Sequence, residues 1–148
     1  MSLRLRRGAA DYVAIVESVA LAVGIELALR LVSFSTVLRL LDQLKPSSLA
    51  LVRRVAHHRL ERFAAAAYRV LPISATCLRE SLVLYALLRR RGAAPMFRIG
   101  VRRNGAALAA HAWVEHTVGS IPAHTWLVLT RVAWPSPWDE RVIFDESI

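Results

Sequence analysis

Two side chains in this sequence have the chemistry of a nucleophile and its base. Cys77 is the only cysteine among 148 residues, and His111 is one of five histidines. The segment Leu71-Pro72-Ile73-Ser74-Ala75-Thr76-Cys77 reads as a proline-containing turn followed by a helix, with Ser74 or Thr76 as its N-cap. A thiol just inside a helix start meets unbonded backbone N–H groups and the positive end of the helix dipole, and both stabilise an anion. The competing reading is a buried cysteine acting as a small apolar side chain. His111 lies in Ala109-Ala110-His111-Ala112-Trp113-Val114-Glu115. As a strand, that run puts Ala109, His111, Trp113 and Glu115 on one face, and the small Ala110 and Ala112 leave room beside the ring. An imidazole there can pair with a thiolate and then protonate a leaving amine. The competing reading is a hydrogen-bonded core histidine, and the residues alone leave both open.

Other chemistries find less support. His57 and His58 are adjacent on an expected helix, so they diverge and make a poor metal pair; His116 falls in or near a turn. There is no HExxH, P-loop or GxGxxG motif, and no pair of carboxylates at catalytic spacing. No cofactor and no metal site are expected.

The elements that must position Cys77 and His111 divide the chain into a helical half and a strand-rich half. Asp11 can cap a helix running to about Leu31, with Asp11, Ser18, Glu26, Arg30 and Ser33 on one stripe. A short helical turn is expected at Thr36 to Leu44, then a break at Lys45-Pro46-Ser47-Ser48, then a helix from Leu49 to Val70 stopped by Leu71-Pro72. The Cys77 helix ends at Arg89-Arg90-Arg91-Gly92, with cations in the last turn and glycine just beyond. From Pro95 the period becomes two. Asn104-Gly105 is a strong hairpin signal, and a loop of those two residues puts Arg98 opposite His111. A third strand, Ala123 to Ala133, is expected to complete a meander, and Arg141 to Phe144 can add a fourth. One domain, 1–148, is expected, with a helical subregion 1–71 and a segment 72–148 carrying the Cys77 helix and the sheet.

The net charge is +9, from 20 basic and 11 acidic residues, and Lys45 is the only lysine. Such a surface attracts acidic peptides, nucleic acid or anionic lipid without choosing among them. The basic runs Arg89-Arg90-Arg91 and Arg102-Arg103 lack interleaved aromatics, so nucleic acid is not expected as a partner. A single cysteine rules out an internal disulfide and suits a cytoplasmic location. Residues 12–32 are very apolar but contain Glu17, Glu26 and Arg30, each costing about 3 kcal/mol at a bilayer centre. They read as a buried helix, with peripheral membrane contact kept as a lesser expectation. No secretory signal is read at the N-terminus.

Taken in order, Thr76-Cys77-Leu78-Arg79-Glu80-Ser81, the Leu87-Leu88-Arg89-Arg90-Arg91-Gly92 helix end, Phe97-Arg98-Ile99-Gly100-Val101 and His111-Ala112-Trp113-Val114-Glu115 carry a resemblance. Over residues 72–121 the chain resembles the leader peptidases of lasso-peptide biosynthesis, the B proteins of the transglutaminase-like superfamily. The resemblance implies an α+β fold with a transglutaminase/papain-like core, helices packed on a small antiparallel sheet of about three or four strands. It implies a cysteine protease that removes the leader from a ribosomally made precursor peptide, with Cys77 and His111 catalytic. The implied partners are that precursor, a separate leader-peptide recognition protein (the first 70 residues read as helix, without a β-rich module) and an ATP-dependent cyclase. The family usually places an Asp about a dozen residues after the His; here no carboxylate falls in 118–125, and His124 takes the expected place. Glu115, Asp139 or Asp145 are alternatives, and a non-catalytic scaffold of the same biosynthetic complex is the rival function.

Overall fold

The computed structural model describes residues 8–48, 55–104, 107–115 and 127–132. Among the described residues four helices, α1 (Ala9–Leu31), α2 (Phe34–Asp42), α3 (His57–Val70) and α4 (Cys77–Arg90), precede the strands β1 (Met96–Asn104), β2 (Ala107–Glu115) and β3 (Leu127–Val132). This is the expected α+β order. The helices pack on an antiparallel sheet whose strand order is β2-β1-β3.

That order corrects the expected meander. β3 pairs with β1 and not with β2, so β1 is central and the strand carrying His111 is terminal among the described residues. The hairpin register also differs. Asn104 faces Ala107, and Gly100, not Arg98, lies opposite His111. A shift of two residues keeps every side chain on its expected face, because the strand repeat is two. The expected fourth strand, Arg141 to Phe144, lies outside the described residues.

Local signals place the helix ends. Ser33 caps α2, accepting from the Thr36 amide at 3.4 Å. Thr76, rather than Ser74, caps α4, its Oγ1 accepting from the Arg79 amide at 3.3 Å. α4 closes on Gly92 at φ 81°, where the Gly92 amide donates to the Arg89 carbonyl and the Ala93 amide to the Leu88 carbonyl. That paired pattern needs a left-handed residue, which glycine adopts without strain. Two expectations change. The N-cap of α1 is Gly8, while Asp11 sits in the first turn. The third helix begins at His57, not Leu49: Ala56 is extended at ψ 141° and Val55 is buried in the core, with 49–54 outside the described residues. Burial of Val55 is a tertiary event that the apolar spacing of 49–56 does not announce.

Three of the five residues of the α1 polar stripe turn inward, while Arg30 and Ser33 stay exposed. Asp11, Ser18 and Glu26 are buried, whereas Tyr12 is 60% and Leu31 80% exposed. The buried carboxylates face arginines on other helices. Asp11 meets Arg59 of α3 at 2.6 Å, and Glu17 meets Arg90 and Arg91 at the end of α4. Glu26 meets Arg79 at the start of α4 at 2.9 Å. Glu17 therefore lies at one end of α4 and Glu26 at the other, and the two helices run antiparallel. By length and composition α1 is apolar enough to cross a membrane, with 28% of its apolar window buried. The expectation of a buried helix holds for one face of it.

The core lies between the helices and one face of the sheet. Phe97 is fully buried, edge-on to Tyr85 at 6.2 Å and tilted against Phe34 at 6.1 Å. Ala112 and Val114 join it from β2. Tyr68 also lies within, its hydroxyl donating to the Arg79 carbonyl at 3.4 Å. Burial, aided by the Glu26 charge, pushes the Tyr68 phenol up to about 12. Burial also raises Tyr85, helped by its hydrogen bond to Asp42. A raised acid holds its proton longer in the folded state than in the unfolded one. Stability is therefore expected to be intact below about pH 10 and to fall as pH rises toward about 12. Urea midpoints measured across that window should drop, and Tyr68→Phe should make the drop shallower; an equal slope in the variant would show that Tyr68 takes no part.

Candidate active site

α4 starts at Cys77 because Thr76 leaves the chain extended and then bonds back to the third residue. The Glu80 amide donates to the Thr76 carbonyl at 3.0 Å. The amides of Cys77 and Leu78 make no bond among the described residues, so they remain to meet an anion. Arg79 ties this end down. Its guanidinium donates to the Ser74 carbonyl at 2.9 Å and pairs with Glu26 of α1. The thiol of Cys77 is free and half-buried.

β2 delivers the imidazole. Alternation sends Ala112 and Val114 into the core and puts His111, Trp113 and Glu115 on the other face. Across the ladder His111 faces Gly100. At that level β1 and β3 change register between Ile99 and Gly100. The His111 ring stacks on Trp113 with centroids 5.9 Å apart and planes 15° apart. The Trp113 Nε1–H donates to Glu115 Oε1 at 3.2 Å, and Arg98 donates to Glu115 Oε2 through Nε and an Nη, both at 3.1 Å.

One hydrogen bond ties the helix of the thiol to the strand of the imidazole. Ser81, one turn after Cys77, donates from Oγ to the Ala112 carbonyl at 2.9 Å, and Ala112 follows His111. A cleft of about 320 Å³ opens at this junction. Glu61 and Ala64 of α3, Cys77, Glu80, Ser81 and Leu84 of α4, and His111 to Val114 of β2 line it. The two residues singled out by type thus line one cavity. His124, expected as the third member, lies outside the described residues, as do Asp139 and Asp145. Glu115 is described, and its carboxylate is held by Arg98 and Trp113.

Sequence reasoning missed Ser81, Glu61, Glu80 and the stacking role of Trp113. The i, i+4 spacing of Cys77 and Ser81 puts both on one helix face and would have drawn attention to the serine. Replacing Ser81 with alanine leaves the buried end of that tether unpaired and should cost about 1 to 3 kcal/mol. Chemical denaturation checks this, and a cost below about 0.5 kcal/mol would mean that packing alone holds α4 to β2.

The arrangement suits acyl transfer through a thiol: a cysteine at a helix N-terminus, unbonded amides beside it, and a histidine lining the same cleft. Among the described residues no group of three or more His, Cys, Asp or Glu could hold a metal ion. No curated protein and no solved structure is detectably similar to the chain. A family model described as the transglutaminase-like superfamily matches residues 19–133, which is most of the chain and includes all four helices in whole or part, β1, β2 and β3. That family suggests the chemistry of cysteine proteases, which agrees with a thiol and an imidazole in one cleft. The chain belongs to the transglutaminase-like superfamily.

Proposed function

We propose that this protein is a cysteine peptidase that removes the leader from a lasso-precursor peptide. The observation that carries the reading is the shared cleft of Cys77 and His111, joined through the Ser81–Ala112 hydrogen bond. The resemblance over residues 72–121 supplies the substrate class.

In this reading the Cys77 thiol passes its proton to His111 and the sulfur attacks the scissile carbonyl carbon. The carbonyl oxygen becomes an oxyanion facing the free amides of Cys77 and Leu78. As the C–N bond breaks, His111 gives its proton to the leaving amine, which departs as the N-terminus of the core peptide. The leader remains as a thioester on Cys77. His111 then takes a proton from water, the hydroxide attacks the thioester, and the thiol is regenerated. A separate leader-binding protein would bring the precursor to the cleft, and an ATP-dependent cyclase would use the freed amine. These partners and a cytoplasmic location belong to the proposal.

The test is incubation of precursor peptide and leader-binding protein with wild type and with Cys77→Ala. Wild type should release the core peptide and the variant should not. Cleavage by the variant at the wild-type rate would overturn the proposal. The rival scaffold reading is separated by a precursor-derived peptide aldehyde: a peptidase forms a hemithioacetal at Cys77, and a scaffold forms none while still binding its partners.

A further inference from the structure

The imidazole of a thiol peptidase must present one nitrogen to the sulfur, and a bare strand histidine can turn about its side-chain bonds. A third residue commonly fixes the ring. On β2 the described neighbour of the His111 ring is an indole face, and the indole is itself held. Trp113 is 4% exposed, its N–H bonds to Glu115, and Glu115 is gripped twice by Arg98 from the adjacent strand. Arg98 and Trp113 are register partners, so the pairing of β1 with β2 sets their relative positions.

We propose that Trp113 is a positioning residue for His111, with Glu115 and Arg98 holding the indole in place. The proposal rests on the reading of Cys77 and His111 as a working pair. The near-parallel stack, with planes 15° apart and centroids 5.9 Å apart, disfavours rotation of the imidazole about its last bond. With the ring plane held, its nitrogens stay in one plane. The electron-rich face of an indole also attracts a cation lying on it, which favours the stacked arrangement when His111 carries the thiol proton. Glu115 thus acts on His111 through Trp113 and not by a bond of its own to the ring. The signal was already in the sequence as the i, i+2, i+4 spacing of His111, Trp113 and Glu115.

The experiment is a double-mutant cycle read by the rate of Cys77 alkylation with iodoacetamide near pH 7, which needs no precursor. Four proteins are compared: wild type, Trp113→Leu, His111→Ala and the double variant. His111→Ala should slow alkylation about tenfold or more, and Trp113→Leu about threefold to tenfold. In the His111→Ala background Trp113→Leu should have no further effect, because its action runs through the imidazole. Trp113→Phe, which keeps an aromatic face, should recover most of the rate. If Trp113→Leu fails to fold, Glu115→Gln enters the same cycle in its place.

Equal slowing by Trp113→Leu in both backgrounds would assign Trp113 a structural role and overturn the inference. So would the absence of any effect of Trp113→Leu while His111→Ala slows alkylation. If His111→Ala itself leaves the rate unchanged, the Cys77–His111 pair fails and the positioning role falls with it. The two failures are therefore distinguishable.

Discussion

His111→Ala is expected to lower kcat for precursor cleavage by about 10²- to 10⁴-fold while KM changes little. In the proposed mechanism the imidazole takes a proton from Cys77, delivers one to the leaving amine and later activates water, so its loss would remove proton transfer at every step. In that proposal the precursor is held by a separate leader-binding protein, which the substitution does not touch, so ground-state binding should survive. His111 is half-buried, in a strand whose core-facing neighbours are Ala112 and Val114. The fold should therefore tolerate alanine, and circular dichroism should match wild type. Combining His111→Ala with Cys77→Ala should cost little more than either alone, since the two side chains act as a unit. Stepwise multiplication of the two losses in single-turnover kinetics would show that they act independently.

The largest stability effect should come from Glu17. Its carboxylate meets both Arg90 and Arg91, and the Arg91 side chain is only 1% exposed. Arg91 also donates to the Leu87 carbonyl at 2.8 Å, which fastens it to its own helix. Burial pulls the Arg91 guanidinium below the usual arginine range, and the Glu17 charge opposes that pull. Glu17→Gln removes the counter-charge and leaves a buried cation. A broken buried pair costs about 3 to 5 kcal/mol, or on the order of 10 °C in Tm for a chain of this size. Removing both charges is different: Glu17→Leu with Arg91→Met replaces the pair by apolar side chains, and most of the loss should return. A cost below about 1 kcal/mol for Glu17→Gln in urea denaturation would show that water already screens the pair. The effect should spare Cys77 alkylation in the folded state, because Glu17 sits at the far end of α4 from the thiol.

Arginine placement explains a feature that composition alone misreads. The excess of basic residues suggests a purely solvated surface, yet Arg59, Arg79, Arg90 and Arg91 each meet a carboxylate of α1. α1 is thereby stitched to α3 and to both ends of α4. Arg79 and Glu26 bear most directly on the cleft, since they anchor the turn before Cys77.

Local chemistry settled much from sequence alone. Thr76 and Gly92 bound the Cys77 helix because a hydroxyl cap and a left-handed glycine act within a few residues. The period of two after Pro95 assigned His111, Trp113 and Glu115 to one face, and a register shift of two left that face unchanged. What needed the tertiary structure depends on distant partners. The inward turn of the Asp11–Ser18–Glu26 stripe follows from arginines 48 and 53 residues away, and no local pattern encodes them. β3 joins β1 rather than β2, a choice among strand edges that alternation cannot rank. The meeting of Cys77 and His111 in one cleft is of the same kind: each was legible by type, but only the packing of α4 along β2 brought them together.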